Sequence, residues 1–99
     1  MSKGLIKILS IAGSDSSCGA GIQADIKTIF SLGGYACSAV TCITAQNKHK
    51  INKVINIDEK LVMDQIKTVC NDMQFNAIKI GVIPKYTLSN KLVKFFKSF

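Results

Sequence analysis

Arginine is missing from this chain altogether, although 13 of its 99 residues are basic. Every basic residue is therefore a lysine. The formal net charge of +7 is carried without the planar, bidentate fork that reads guanine edges and clamps phosphates. The lysines are spread from Lys3 to Lys97 instead of gathering in one stripe. Both points argue against a nucleic-acid partner. No run approaches the roughly 18 apolar residues of a membrane span, so no membrane partner is expected. The opening Met1-Ser2-Lys3-Gly4-Leu5-Ile6-Lys7 has no long apolar core and no small-residue cleavage site, so no secretion signal is expected either. The spacings of Cys18, Cys37, Cys42 and Cys70 fit no zinc or redox motif. They read as reduced thiols in a cytoplasmic protein, and no metal ligand is assigned. No Gly-Lys pair occurs anywhere, which removes the P-loop.

What remains is globular in character, with 47% hydrophobic and 19% charged residues. A chain of this length buries one core with little margin. Ile6–Ala12 is short, apolar and rich in β-branched residues, a first buried strand. A loop of small residues, Gly13–Gly21, follows. Ile22, Ile26, Ile29 and Phe30 fall on one helical face, and Gly33-Gly34 stands where a left-handed helix cap belongs. Cys37–Ala45 reads as a second strand buried on both faces. Gln46–Lys50 is a polar loop and Val54–Ile57 a short strand. Asp58 is placed to cap a second helix carrying Leu61, Val62, Ile66, Val69 and Met73. Ala77–Ile83 is a third main strand, again apolar along its length. Pro84 suits the first turn of a last helix, with Leu88, Leu92, Phe95, Phe96 and Phe99 on one face. Strands alternating with helices predict an α/β fold, a mostly parallel sheet covered on both sides.

In open α/β sheets ligands bind beyond the carboxyl ends of the strands. Gly13–Gly21, Gln46 and Val82 are expected at those ends, and Asp25 lies one turn into the first helix. Gly19-Ala20-Gly21-Ile22-Gln23-Ala24 also fits the dinucleotide fingerprint G-x-G-x-x-G/A. Against that, the loop before it is too long, and no Asp or Glu occurs between Ile26 and Ile57 to meet ribose hydroxyls. Without a ligand, Gly19 and Gly21 read as a tight turn with close helix–strand packing, Asp25 as an exposed helix residue and Gln46 as an ordinary loop residue.

The stretch Ile11-Ala12-Gly13-Ser14-Asp15-Ser16-Ser17-Cys18-Gly19-Ala20-Gly21-Ile22-Gln23-Ala24-Asp25-Ile26-Lys27-Thr28 resembles the opening motif of the hydroxymethylpyrimidine/phosphomethylpyrimidine kinases of thiamine biosynthesis, members of the ribokinase-like superfamily. The likeness continues in Leu32-Gly33-Gly34-Tyr35, in Thr41–Asn47 and in Lys79-Ile80-Gly81. It implies a three-layer αβα sandwich, of which residues 1–99 are an incomplete, N-terminal, substrate-binding part with no second domain. It implies ATP, Mg²⁺ and a small-molecule pyrimidine substrate. It also implies substrate-binding roles for Gly13 (against the ring), Asp25 (a carboxylate), Gln46 (a hydrogen-bonding side chain) and Val82 (an apolar wall). No catalytic residue is assigned, because the family's anion hole, catalytic base and most of its ATP site belong to a later part of longer chains.

Ser16 and Cys18 stand where the family commonly has proline and glycine, which is expected to loosen the loop and add bulk. Val82 is smaller than the methionine often found there. Three readings stay open: a kinase-derived chain inactive alone, a pyrimidine-binding module or half of a split enzyme, and a fragment of a pyridoxal-type kinase. A missing C-terminal half or a homo-oligomer is the partner they imply. The chain is expected to be marginally stable, with the apolar face of its last helix open to water.

Overall fold

The computed structural model describes residues 4–97. Its elements follow in the order β1 (Lys7–Asp15), α1 (Gly21–Ser31), β2 (Tyr35–Gln46), β3 (Ile51–Asn56), α2 (Glu59–Asp72), β4 (Ala77–Ile80) and α3 (Tyr86–Phe96). The four strands form one sheet in the order β3-β2-β1-β4. β1 runs parallel to both β2 and β4, whereas β3 is antiparallel to β2. The antiparallel turn has a simple cause: only residues 47–50 separate the two strands, too few for the crossover that a parallel pair needs.

The period of two along β1 divides its side chains between two helical layers. Leu9 and Ile11 are fully buried with Ala39, against Val62, Met63 and Ile66 of α2 and Leu88 and Leu92 of α3. Burying each of the large side chains contributes about 1.5–3 kcal/mol. On the opposite face Ser10 meets α1, and the helix buries Ile22. α1 ends where Gly33 takes φ +88°. The Gly33 amide then donates to the Phe30 carbonyl and the Gly34 amide to the Ile29 carbonyl, the paired bonds of a left-handed helix cap.

Several boundaries move from their expected places. β1 continues through Gly13 to Asp15, because Ser14 and Asp15 still pair with Ile43 and Thr44 beyond a bulge. β4 stops at Ile80, after which a single bond from the Gly81 amide to the Ile11 carbonyl ends the pairing. β4 is an edge strand with Ile80 48% exposed, so its apolar sequence does not mean burial on both faces. Asp58 occupies the cap position of α2 without a side-chain capping bond. Leu61 is exposed, and Met63 is buried in its stead. Pro84 precedes α3 instead of opening it, since Lys85 is still extended at φ −139°, ψ 144°.

The last helix departs most from expectation. Its face does not open to water: Leu88 and Leu92 are 2% and 3% exposed. Phe95 and Phe96 pack on the same core, edge to face at 5.0 Å. Lys91 Nζ, 2.8 Å from Glu59 Oε1, ties α3 to α2. Phe99 lies outside the described residues. An exposed apolar pair sits on the sheet, where the cross-strand neighbours Ile43 and Ile55 are 51% and 53% exposed. Such a pair on a sheet with an open edge favours self-association. The double substitution Ile43→Thr, Ile55→Thr keeps β-branched side chains, and it is expected to lower self-association in sedimentation velocity without lowering the melting temperature by more than a few degrees. A parent chain that sediments as a monomer at high concentration would contradict this.

Candidate functional site

The carboxyl ends of β1, β2 and β4 meet at a cleft of about 270 Å³. Four other hollows are larger: one beside α2 and α3, one near Leu5 and Phe75, one along α2 at Leu61 and Gln65, and one at Ser16, Gln46 and Asn52. Only the last of these touches the carboxyl end of a parallel strand, and it reaches β2 alone, so the cleft where three strand ends meet is the candidate site.

Its floor depends on two glycines. A Cβ at Gly13 would come within 2.6 Å of Cys42 Sγ, on the neighbouring strand. Gly21 has φ +64°, and a Cβ there would collide with the Gly13 carbonyl oxygen. The start of α1 thus rests directly on the β1 bulge, an approach only glycine allows. Gly19 differs, because a Cβ there would meet nothing closer than 3.7 Å. What Gly19 supplies is its amide.

That amide belongs to a cluster around Asp15, a residue only 4% exposed. Asp15 Oδ1 accepts from the Ser17 amide at 2.8 Å and the Ser17 hydroxyl at 2.7 Å. Its Oδ2 accepts from the Gly19 and Ala20 amides at 3.0 and 2.9 Å. These bonds, led by the Ser17 hydroxyl and the Ser17 amide, outweigh burial and hold the carboxyl below the usual aspartate range. Asp15 escaped the sequence reading, although Gly-Ser-Asp-Ser is a turn signal with a mechanism, an aspartate bonding its own backbone two residues on. The cluster weighs against the dinucleotide reading, since the Gly19 and Ala20 amides just ahead of α1, part of the turn that would cradle a pyrophosphate, already hold a carboxylate.

Ser16 does not loosen the loop. Its hydroxyl donates to the Gln46 carbonyl at 2.7 Å and accepts from the Gln46 amide at 2.9 Å, clamping the loop to the end of β2. Cys18 does carry strain, with φ +62° in an exposed turn.

Of the four expected site residues, Gly13, Gln46 and Val82 line the cleft together. Val82 is 61% exposed, and its carbonyl is fixed by the buried Thr41 hydroxyl at 2.9 Å. Ile51 and Val54 of β3 add an apolar wall that the sequence reading did not anticipate. Asp25 does not line the cleft. Its Oδ2 accepts from Ser10 Oγ at 2.7 Å and from Lys79 Nζ at 2.8 Å, and it is Lys79 that faces the cleft. Among the described residues no group of three or more His, Cys, Asp or Glu is placed to hold a metal ion. With no such group and with Lys79 the one cation lining the cleft, these residues do not fit a nucleoside triphosphate and its Mg²⁺. No helix of the described residues is long and apolar enough to cross a membrane.

A central parallel pair, an antiparallel outer strand and a glycine-floored cleft at the carboxyl ends define a ribokinase-like α/β fold. Phosphomethylpyrimidine kinase from Clostridium difficile superposes with a TM-score of 0.89 at 41% identity, over 95% of this chain and 41% of that one. Bacillus subtilis pyridoxal kinase superposes at 0.86 with 35% identity, over 95% of this chain and 36% of that one. The family model for phosphomethylpyrimidine kinase matches residues 15–99, and the chain belongs to that family. The hydroxymethylpyrimidine/phosphomethylpyrimidine kinase of Rhizobium meliloti is 47% identical over 77 residues, which are 78% of this chain and 29% of that protein. A probable thiamine biosynthetic bifunctional enzyme of Oryza sativa is 39% identical over 93% of this chain and 17% of its own length. The chain therefore spans less than a third of the length of these two relatives.

Two outcomes follow from the loop. Because the Asp15 carboxyl lies below its ordinary value of about 3.9, the unfolded chain binds the proton more readily. The stabilisation is thus complete above that value and is lost as pH falls through the lower folded one. Amide exchange should show the Ser17, Gly19 and Ala20 amides protected from pH 5 to 8 and released only in stronger acid. Asp15→Asn should reduce that protection even at pH 7, and equal protection in parent and variant would count against the assignment. Second, Cys18→Gly relieves the left-handed backbone at the expense of unfolded-chain entropy, and it should raise stability by about 0.5–1 kcal/mol in urea titrations. A loss of stability would show that the Cys18 side chain contributes more than its strain costs.

Proposed function

We propose that this cleft is the pyrimidine-binding half of a hydroxymethylpyrimidine/phosphomethylpyrimidine kinase site. The family reaction transfers phosphate from ATP to 4-amino-5-hydroxymethyl-2-methylpyrimidine, and then to its monophosphate, in thiamine biosynthesis. Residues 1–99 correspond in this reading to the N-terminal, substrate-binding part of one ribokinase-like domain. The observation that carries it is the meeting of Gly13, Gln46 and Val82 on one small cleft beyond the strand ends.

An aminopyrimidine is flat, apolar on its faces and polar around its edge. Gly13 lets the ring lie against backbone. Val82, Val54 and Ile51 cover its faces and exclude water. Gln46 offers both a donor and an acceptor to the edge, and Asp25 supplies charge from behind the cleft. These residues bind and orient. In the whole family reaction the nucleotide and metal supply the phosphoryl group and its charge stabilisation, and no step through them follows from the residues of this chain. The chain by itself is accordingly a binder without turnover. A second reading has support in the 35% identity to a pyridoxal kinase, whose substrate is a single ring of similar size.

Titration of the 99-residue chain with the hydroxymethylpyrimidine, followed by ligand-observed NMR, should give saturable binding that pyridoxal displaces only weakly. Gln46→Ala should weaken binding about tenfold, through loss of one to two edge hydrogen bonds. With ATP and Mg²⁺ added, product should not exceed the no-protein control. Tighter binding of pyridoxal would favour the second reading, and absence of binding by either ring would reject both.

A further inference from the structure

We infer that Lys79, and not Asp25, is the charged group that meets the ligand, with Asp25 a positioning residue that acts through it. This rests on the pyrimidine-cleft reading and assigns its polar contacts.

The observations start in the sheet register. Ser10 and Lys79 are direct neighbours on β1 and β4, so their side chains share the face that α1 covers. Asp25 reaches that face from α1. A single carboxylate oxygen, Oδ2, takes both the Ser10 hydroxyl at 2.7 Å and the Lys79 ammonium at 2.8 Å. The side chain of Asp25 is 18% exposed and that of Lys79 47%. The acid is thus set back and the base stands forward. Lys79 lines the cleft and Asp25 does not; of the two charged lining residues, Asp15 has both carboxylate oxygens held by turn donors, which leaves Lys79.

Gly81 shows how the ammonium reaches its place. A Cβ at position 81 would lie 3.2 Å from Lys79 Nζ and 2.8 Å from the Ala12 Cβ. The lysine therefore lies across a residue with no side chain, two positions further along the same face. Lys79-Ile80-Gly81 is a lane for the ammonium, and Asp25 holds the ammonium in it.

The chemistry of the pair decides the division of labour. An ammonium has three donors and no acceptor. One donor is spent on Asp25, which leaves donors for an acceptor on the ligand, a ring nitrogen or the oxygen of its hydroxymethyl arm. The carboxylate oxygen that faces Lys79 already has two donors, so its remaining role is to fix the ammonium's position and offset its charge. A long lysine stem is otherwise costly to order.

A double-mutant cycle on the full 99-residue chain tests this, with affinity for the hydroxymethylpyrimidine as the readout. Lys79→Met and Asp25→Asn should each weaken binding about tenfold or more. The double variant should bind no more weakly than Lys79→Met alone, because Asp25 has nothing left to position. Lys79→Arg should recover part of the affinity, and ligand should move the ¹³Cε resonance of Lys79 in the parent. If Asp25→Asn fails to fold, Ser10→Ala replaces it: it loosens the same oxygen, and its effect should likewise vanish in the Lys79→Met background. Equal losses from Asp25→Asn with and without Lys79 would mean that the carboxylate touches the ligand itself, and would overturn the inference while leaving the cleft reading intact. A parent chain that binds no pyrimidine overturns the cleft reading and this inference with it.

Discussion

The site depends on one buried carboxylate. Asp15 closes the connection between β1 and α1 by accepting four hydrogen bonds from three residues of the turn, Ser17, Gly19 and Ala20. Those bonds set the direction in which α1 leaves the sheet. That direction seats Gly21 on the Gly13 carbonyl, and so fixes the floor of the cleft. It also determines where Asp25 meets the sheet, and therefore where Lys79 is held. A charged acceptor with strong, short donors is the right device for this task. Neutral turn residues would leave several amides to water, and the glycines around them would let the loop wander.

The architecture was legible because it rests on period and punctuation. Alternation of β-branched runs with helical stripes gave all seven elements in order, and Gly33-Gly34 marked the end of α1 through a backbone shape that only a left-handed residue makes. What escaped was decided by partners far along the chain. β1 outlasts its apolar run because β2 pairs with it past the bulge, and no local signal reports that. The α3 face was expected to open to water, yet α2 and the sheet bury Leu88 and Leu92. Periodicity names the apolar face of a helix but not the element that will cover it.

The candidate site was legible to a similar depth. Gly13, Gln46 and Val82 follow from the rule that strand ends converge, and the structure brings them together. Asp25 was expected beside them because it lies near the helix start. Register decides otherwise, since Ser10 and Lys79 face α1 side by side and capture the carboxylate before it reaches the cleft. The sequence lists residues on a helix face, but which of two oppositely charged neighbours stands forward depends on the length of each side chain and the gap left by Gly81.

The same geometry separates the two tasks a phosphoryl-transfer site must perform. Holding a flat heteroaromatic ring needs a glycine floor, apolar walls and a few fixed edge groups, and these lie together at the strand ends. Stabilising a transferring phosphoryl group needs convergent donors free to follow the developing charge. The amides of the turn into α1 are natural donors in a parallel α/β sheet, and here Asp15 already uses those of Ser17, Gly19 and Ala20. A phosphate brought to those amides would have to displace a buried carboxylate from four hydrogen bonds and then remain beside it, a like-charge contact. Any phosphoryl group handled at this cleft must therefore be met by donors other than the Ser17, Gly19 and Ala20 amides. The turn that makes the ring site rigid thereby withholds three of its amides from any anion.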